Sequence, residues 1–206
     1  MKGAVKRMGR GAVAPLGKGL SSIGISADAV TVAGLLAAVV SAWGFATGSR
    51  PSAFFGLLGS GFCDLLDGAV ARAGGRKGTP FGAALDSTLD RYGEGAVFAG
   101  ILIRISSEPS ASWWLAVLAA AALIGSFLVS YVRARSEGLG IPCEVGVLER
   151  PERIVALLVL AVWGFDGMPW ILGALAVLSH VTFLQRLRHV RRHAATASGQ
   201  PGAPSV

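Results

Sequence analysis

The amino-acid sequence is dominated by long apolar runs, which are separated by short polar or glycine-rich segments. Most of these runs reach the roughly 20 residues that an α-helix needs to cross a bilayer. The fifth run is shorter, and we expect its helix to extend through Arg153. The pattern predicts an all-α, polytopic membrane protein with six transmembrane helices, at residues 29–48, 52–72, 82–104, 112–135, 153–166 and 169–189.

Residues 1–22 follow another pattern, in which basic side chains are interspersed with isolated apolar ones. Pro15 and the lack of a continuous apolar run argue against a cleavable signal peptide. We predict a cytoplasmic, interfacial amphipathic helix here, with a solvated basic tail as the alternative. Ser26 is a suitable N-cap for the first span. We expect residues 23–192 to form one six-span domain and the polar residues 193–206 to form a disordered tail.

Composition excludes an ordinary soluble domain, because 52% of the residues are apolar and only 15% are charged. The net charge of +7 could indicate a nucleic-acid partner. The basic residues flank the apolar runs, however, and this arrangement favours anionic lipid and no nucleic acid. Cys63 and Cys143 have no metal-ligand spacing, and we expect both to be reduced, unpaired thiols.

The distribution of basic residues also predicts the orientation in the plasma membrane. If the amino terminus is cytoplasmic, all but two of the 19 Lys and Arg residues fall on the cytoplasmic side of the six spans, the exceptions being Arg50 and Arg104. Cytoplasmic segments of membrane proteins carry such an excess of Lys and Arg. The sequence therefore predicts that both termini are cytoplasmic.

Four aspartates interrupt the second and third apolar runs. Asp64 and Asp67 are three residues apart and Asp86 and Asp90 are four apart, so each pair shares one face of a helix. The glycine-rich connector 73–81 predicts that the two helices fold back antiparallel. At a rise of ~1.5 Å per residue, the two pairs then lie at matching depth.

Ionised carboxylates that crowd together repel one another unless cations are bound. Hard divalent ions with all-oxygen ligands, Mg²⁺ or Mn²⁺, suit such a cluster best. Helix caps or structural polar contacts are the alternative, but acids in apolar helices are costly and by default indicate function.

The spacing of the acids resembles the signature of the CDP-alcohol phosphotransferase family, Asp-x2-Asp-Gly-x2-Ala-Arg-x8-Gly-x3-Asp-x3-Asp. Every fixed position is matched, and the departure is a connector one residue longer than in the signature. An extra residue in a glycine-rich turn costs little. The matching residues are Asp64, Asp67, Gly68, Ala71, Arg72, Gly82, Asp86 and Asp90.

The resemblance implies a metal-dependent phosphatidyltransferase that uses two Mg²⁺ or Mn²⁺ ions. The implied metal ligands are Asp64, Asp67, Asp86 and Asp90, and Asp90 is also the implied general base. A nucleotide would lie against the helix where the side chains are small. The implied CDP-diacylglycerol-binding residues are Asp28, Ala29, Val30, Thr31, Gly68, Ala71, Arg72 and Thr79. Ala27 stands where family members often have Pro.

Arginines gather at the end of the fourth run and the start of the fifth, in Ser-Tyr-Val-Arg-Ala-Arg at 130–135 and Glu-Arg-Pro-Glu-Arg at 149–153. Together with Gln-Arg at 185–186, these stretches resemble the phosphatidylinositol-phosphate synthases of actinobacteria, within the same family. Guanidinium groups bind phosphate in a bidentate manner, although ordinary flanking charge is the alternative for any single arginine. The implied acceptor phosphate-binding residues are Ser130, Arg133, Arg135, Arg150, Arg153 and Arg186.

The reaction implied by the resemblance replaces the CMP of CDP-diacylglycerol with a hydroxyl of inositol 1-phosphate. Its implied partners are these two substrates, membrane lipid and a second copy of the chain in a homodimer. A phosphatidylglycerol-phosphate synthase would share the acids and is one alternative. A divalent-cation transporter is another, but transporters place such acids near the midplane of broken helices.

Overall fold

The computed structural model describes residues 13–74 and 79–197, and every regular element within them is helical. The predicted all-α class is therefore confirmed. A first helix, α1, covers residues 13–22. The others are α2 (Ala27–Thr47), α3 (Arg50–Ala73), α4 (Pro80–Ser106), α5 (Trp113–Gly138), α6 (Arg150–Trp163) and α7 (Met168–Ala197), the last preceded by the 3₁₀ turn Phe165–Gly167.

Helices α2 to α7 correspond to the six predicted runs, but fewer are long and apolar enough to cross a membrane. Within the described ranges there are four, namely Ala27–Thr47, Arg50–Ala73, Trp113–Gly138 and Phe165–Ala194. Helix α4 carries the charged residues of the motif, which lower its hydropathy. Helix α6 has 14 residues, or about 21 Å, which is less than the ~30 Å of a hydrocarbon core. The fold is that of a helical membrane protein with four candidate spans, against six predicted.

The chain divides into two compact units, Met1–Glu108 and Pro109–Val206. In the first unit α2 is central, with α3 and α4 packed against it. Small residues allow this approach: a Cβ on Gly56 would lie 2.5 Å from the Ser41 nitrogen, and a Cβ on Gly100 would overlap the Ala42 carbonyl oxygen. The packing brings the last turns of α3 and the first turns of α4 beside the start of α2.

Helix α1 packs at the same end of the first unit. Val13 is buried with Val30 of α2 and with Leu66, Ala69 and Val70 of α3. Residues 13–22 of the predicted amphipathic segment are therefore helical and anchored by apolar contacts. The basic residues before Val13 lie outside the described residues.

The second unit is built on the packing of α5 along α7, with α6 in contact with α7. Its core includes Ala119, Ala122 and Leu172, which are fully buried. Helix α7 continues to Ala197, so residues 193–197 of the predicted disordered tail extend this helix, and the remainder of that tail lies outside the described residues.

Candidate functional site

Three of the four motif aspartates meet in the first unit. Asp64 and Asp67 share a face of α3, and Asp86 lies in the second turn of α4. One carboxylate oxygen from each residue lies within 4.8 Å of the others. The spacing of the motif and the packing of α3 and α4 on α2 thus produce the cluster that the sequence predicted for these three residues.

A hydroxyl from α2 holds the most deeply buried of these carboxylates. Asp67 is 8% exposed, and the Thr31 hydroxyl donates a hydrogen bond to its Oδ2 at 3.0 Å. Thr31 is itself buried, and its Oγ1 is also 3.1 Å from the Ala27 carbonyl oxygen in its own helix. The side chains of both residues are therefore fixed by packing and by hydrogen bonding.

The three carboxylates fit a hard divalent cation. Oxygen atoms on opposite sides of an octahedral Mg²⁺ are about 4.2 Å apart, twice the ~2.1 Å ligand distance. Neighbouring positions on such an ion are about 3.0 Å apart, so oxygens from Asp64, Asp67 and Asp86, which all lie within 4.8 Å of one another, would move closer together to share an ion. An all-oxygen, all-carboxylate donor set selects Mg²⁺ or Mn²⁺ over softer metals.

Asp90 lies one turn beyond Asp86 on α4 and outside this three-residue cluster. Its side chain is 13% exposed, and its Oδ2 is 3.6 Å from Nη1 of Arg91. The Arg91 guanidinium also donates to the Ser87 carbonyl oxygen at 2.7 Å. Asp90 therefore lies on the same helix as Asp86 but outside the cluster, and its roles as metal ligand and general base stay predictions.

A cavity of about 570 Å³ opens beside the acids, and both Asp67 and Asp86 line it. Its other walls come from the α1–α2 turn, the first turn of α2, the last turns of α3 and the start of α4. Five of the predicted nucleotide-binding residues line it, namely Asp28, Thr31, Gly68, Ala71 and Thr79.

The remaining predicted nucleotide residues are not part of the lining. Val30 is buried in the core between α1, α2 and α3. Ala29 is exposed, and its amide donates a hydrogen bond to the hydroxyl oxygen of the N-cap Ser26 at 3.1 Å. Arg72 is exposed, with Nη1 3.1 Å from the position that a Cβ on Gly68 would take. Its guanidinium thus lies over the small residue that opens the cavity.

Several lining residues were not predicted from the sequence. They come from the turn before α2, from the end of α3 and from the start of α4, and are Ser21, Gly24, Ile25, Ser26, Ala27, Val70, Gly74, Gly82 and Ala83. Gly82 carried a signal, since it is a fixed position of the motif, and a Cβ there would lie 3.2 Å from Asp28 Oδ1. Ser21, Gly24 and Ile25 belong to the turn between α1 and α2, for which the motif has no fixed position.

The arginines predicted to bind a phosphate belong to the second unit, and they differ in exposure. Arg153 and Arg186 are each 3% exposed, and Arg186 Nη1 donates a hydrogen bond to the Val129 carbonyl oxygen of α5 at 2.7 Å. Ser130 is also buried, one turn before Arg133 on α5. The structure therefore buries Arg153 and Arg186 and bonds Arg186 to the helix that carries Ser130 and Arg133.

The other arginines of the set lie differently. Arg135 is exposed, since residues two apart on a helix point to different sides. Arg150 is the first residue of α6 and is half-buried. Arg133 also pairs with Glu137, with Nε 2.8 Å from Oε1. The sequence could place these arginines at helix ends but could not rank their exposure.

Comparison with known proteins agrees with this geometry. The family model described as CDP-alcohol phosphatidyltransferase matches residues 25–185. The chain is 42% identical to the archaetidylinositol phosphate synthase of Methanothermobacter thermautotrophicus over 173 residues, which cover 82% of this chain and 84% of the relative.

Two crystal structures of the Mycobacterium tuberculosis phosphatidylinositol phosphate synthase have a similar fold. The one with CDP-DAG bound has a TM-score of 0.75 at 35% identity, covering 86% of this chain and 92% of that one. The one with manganese and citrate has a TM-score of 0.74 at 37% identity, covering 87% of this chain and 88% of that one. With its acid motif, its cavity and these matches, the chain belongs to the CDP-alcohol phosphatidyltransferase family.

Proposed function

We propose that this protein transfers the phosphatidyl group of CDP-diacylglycerol to inositol 1-phosphate and releases CMP. The observation that carries the proposal is the meeting of Asp64, Asp67 and Asp86 at a cavity large enough for a nucleotide. Both relatives reported above have an inositol phosphate headgroup in the names of their products, although the lipid parts of those names differ. Inositol phosphate is therefore the best-supported acceptor.

The donor is assigned to the cavity of the first unit. The nucleotide would lie against Gly68 and Ala71, where small side chains leave room, and its phosphates would reach Thr79 and Arg72. Two Mg²⁺ or Mn²⁺ ions held by Asp64, Asp67 and Asp86, with Asp90 at the edge, would neutralise the diphosphate and stabilise the leaving oxygen of CMP. Manganese in one related crystal structure supports this class of metal.

Asp90 is proposed as the general base of the transfer. A hydroxyl oxygen of the acceptor forms a bond to the phosphorus that carries the diacylglycerol, while the hydroxyl proton passes to a carboxylate oxygen of Asp90. The bond from that phosphorus to the oxygen bridging to CMP breaks, and CMP leaves with the bonding electrons. The ion pair with Arg91 supports this role by orienting the Asp90 carboxylate.

The acceptor's phosphate is assigned to the second unit. A phosphate monoester carries close to two negative charges near neutral pH, and buried guanidinium groups bind it through charge-assisted hydrogen bonds. Arg153 and Arg186 are the most buried members of the proposed set. The full set is Ser130, Arg133, Arg135, Arg150, Arg153 and Arg186.

We also infer that helices α2 to α7 form six membrane segments, with both termini and the acid cluster on the cytoplasmic side. The excess of Lys and Arg on one side supports this orientation. A membrane-impermeant thiol reagent should label Ala111→Cys in intact cells and Lys18→Cys only after lysis, in a chain without Cys63 and Cys143. The opposite labelling pattern would show that the orientation in the membrane is the reverse of the proposed one. A homodimer is proposed as well, and cross-linking of the protein in its membrane tests it.

Assay of the purified protein with CDP-diacylglycerol and competing acceptors tests the proposed reaction. CMP release should be fast with inositol 1-phosphate and slow with glycerol 3-phosphate or unphosphorylated inositol. A preference for glycerol 3-phosphate would instead assign the phosphatidylglycerol-phosphate synthase reaction. Family membership argues against the cation-transporter alternative.

A further inference from the structure

Four side chains of α7 bind the connector between α5 and α6, residues 139–149. Thr182, Gln185, Arg186 and His189 are spaced at i, i+3, i+4 and i+7, so they share one helix face. All four form hydrogen bonds to the connector's backbone. We call these four residues the clamp.

The hydrogen bonds of the clamp follow the connector in sequence. His189 Nε2 lies 2.9 Å from the Pro142 carbonyl oxygen, and Arg186 Nε donates to the Val145 carbonyl oxygen at 2.9 Å. Residue numbers increase along the connector while those of the bonded α7 residues decrease, so the connector runs antiparallel to α7.

Two further bonds continue this register toward α6. The Val147 amide donates to Gln185 Oε1 at 3.2 Å, and the Leu148 amide donates to Thr182 Oγ1 at 3.0 Å. Thr182 is fully buried, and its hydroxyl also donates to the Leu178 carbonyl oxygen at 2.8 Å. Its hydroxyl is therefore used both as a donor and as an acceptor.

Contact between the connector and α7 is also close. Gly146 has φ +136°, a region that side chains rarely adopt, and a Cβ there would overlap Cγ2 of Thr182. At the far end, the Ser136 hydroxyl on α5 donates to the Ile141 carbonyl oxygen at 2.7 Å. The connector is thus held at both ends and pressed onto Thr182.

The clamp ends where α6 begins. Leu148 directly precedes Glu149, the N-cap of α6, whose amide is bound by the Glu152 side chain in a capping box. Arg150 and Arg153 lie in the turn that follows. A shift of Leu148 would move this turn, because only the N-cap residue separates them.

We propose that Thr182 and Gln185 are positioning residues, which hold the connector and thereby fix Arg150 and Arg153 for the phosphate of the acceptor. This inference rests on the proposed function. Neither residue is expected to touch a substrate. Their loss should therefore weaken the acceptor's binding and leave CDP-diacylglycerol binding and the chemical step nearly unchanged.

The test compares Thr182→Val with Thr182→Ser in the full-length protein. Valine keeps the shape of the side chain and removes the hydroxyl, whereas serine keeps the hydroxyl. We expect valine to raise the KM for inositol 1-phosphate on the order of tenfold, since a buried amide loses its partner. Serine should restore most of this loss. Hydrogen exchange of the connector should be faster in the valine variant than in wild type.

Ser179→Ala is the matched control. Ser179 lies one turn before Thr182 on α7 and is fully buried, and its Oγ has no hydrogen-bond partner among residues 13–74 and 79–197. Removal of this hydroxyl should leave the KM for both substrates and the exchange of the connector unchanged. Gln185→Met tests the more exposed bond, and it keeps the proposal testable if Thr182→Val does not fold.

Three results would overturn the positioning role. The first is an acceptor KM that is unchanged in both Thr182→Val and Gln185→Met. The second is faster hydrogen exchange of the connector without any change in the acceptor KM. The third is a KM for CDP-diacylglycerol that rises as much as the acceptor KM in Thr182→Val and is not restored in Thr182→Ser. A wild type that uses only glycerol 3-phosphate would contradict the proposed function. The same comparison of acceptor KM, made with glycerol 3-phosphate, would then decide the role of the clamp.

Discussion

Thr31 and Asp67 form a buried hydrogen bond between α2 and α3, with 3.0 Å between Oγ1 and Oδ2. The bond helps to fix the orientation of the Asp67 carboxylate, one oxygen of which lies within 4.8 Å of oxygens of Asp64 and Asp86. Partners that orient a metal-binding carboxylate in this way affect metal affinity about 10- to 100-fold in other proteins. Thr31 is thus expected to act through Asp67, in addition to lining the cavity.

Thr31→Val should weaken the apparent affinity for Mg²⁺ or Mn²⁺ by about tenfold or more. Valine has the shape of threonine but cannot donate the hydrogen bond, so Asp67 would lose its orientation. Titration of Mn²⁺ by electron paramagnetic resonance measures this change without activity. Thr31→Ser is the control and should bind metal nearly as wild type does. Equal Mn²⁺ affinity in Thr31→Val and wild type would contradict the proposal that Thr31 orients Asp67 for metal binding.

Chelation should abolish CMP release from CDP-diacylglycerol, and Mg²⁺ or Mn²⁺ should restore it. The reason is that three carboxylates within 4.8 Å of one another repel unless a cation is bound. Activity is measured after exhaustive treatment with a chelator, followed by addition of single metals. Ca²⁺ is the control, because it is larger and prefers more ligands than Mg²⁺. Full activity after chelation would contradict a metal-dependent reaction.

The acid cluster could be predicted from the sequence because helix geometry determines it. A spacing of three or four residues fixes the face, and a glycine-rich connector fixes the reversal. The caps of the helices were also predictable, since Ser26 caps α2 and Pro151 stands in the first turn of α6. These features depend only on residues close together in the chain.

Features that depend on distant residues could not be predicted. Asp67 and Thr31 are 36 residues apart, and no local pattern signals their bond. Arg186 was predicted to bind a phosphate, yet its Nε and Nη1 donate to the carbonyl oxygens of Val145 and Val129 at 2.9 and 2.7 Å. Tertiary packing determines which partner each guanidinium nitrogen of Arg186 contacts, and this cannot be read from the distribution of charged residues in the sequence.

Asp67→Asn and Asp90→Asn should separate metal binding from the proton transfer. Asp67 belongs to the buried cluster, so its amide variant should lose metal and CDP-diacylglycerol binding together. Asp90 lies at the edge and is the proposed base, so Asp90→Asn should abolish turnover and keep much of the donor binding. Calorimetric titration with CDP-diacylglycerol, run beside the turnover assay, distinguishes the two. An equally complete loss of metal in Asp90→Asn would mean that Asp90 is a principal ligand.

Arg153→Ala should raise the KM for inositol 1-phosphate more than any exposed arginine variant does. Arg153 is 3% exposed, and a hydrogen bond from a charged group contributes about 1.5–3 kcal/mol, which corresponds to about ten- to a hundredfold in affinity. Arg135 is exposed, and solvent screening should make the effect of Arg135→Ala smaller.

Substrate specificity provides the decisive comparison for Arg153. The KM for CDP-diacylglycerol should change little in Arg153→Ala, because that substrate is assigned to the first unit. Arg153→Lys should restore the acceptor KM only in part, since lysine keeps the charge and loses the bidentate geometry. Arg188→Ala is the control, as Arg188 is an exposed arginine of α7 outside the proposed set. Unphosphorylated inositol offers no charge to these guanidinium groups, and equal turnover of inositol and inositol 1-phosphate by the wild type would therefore exclude a phosphate pocket at Arg153.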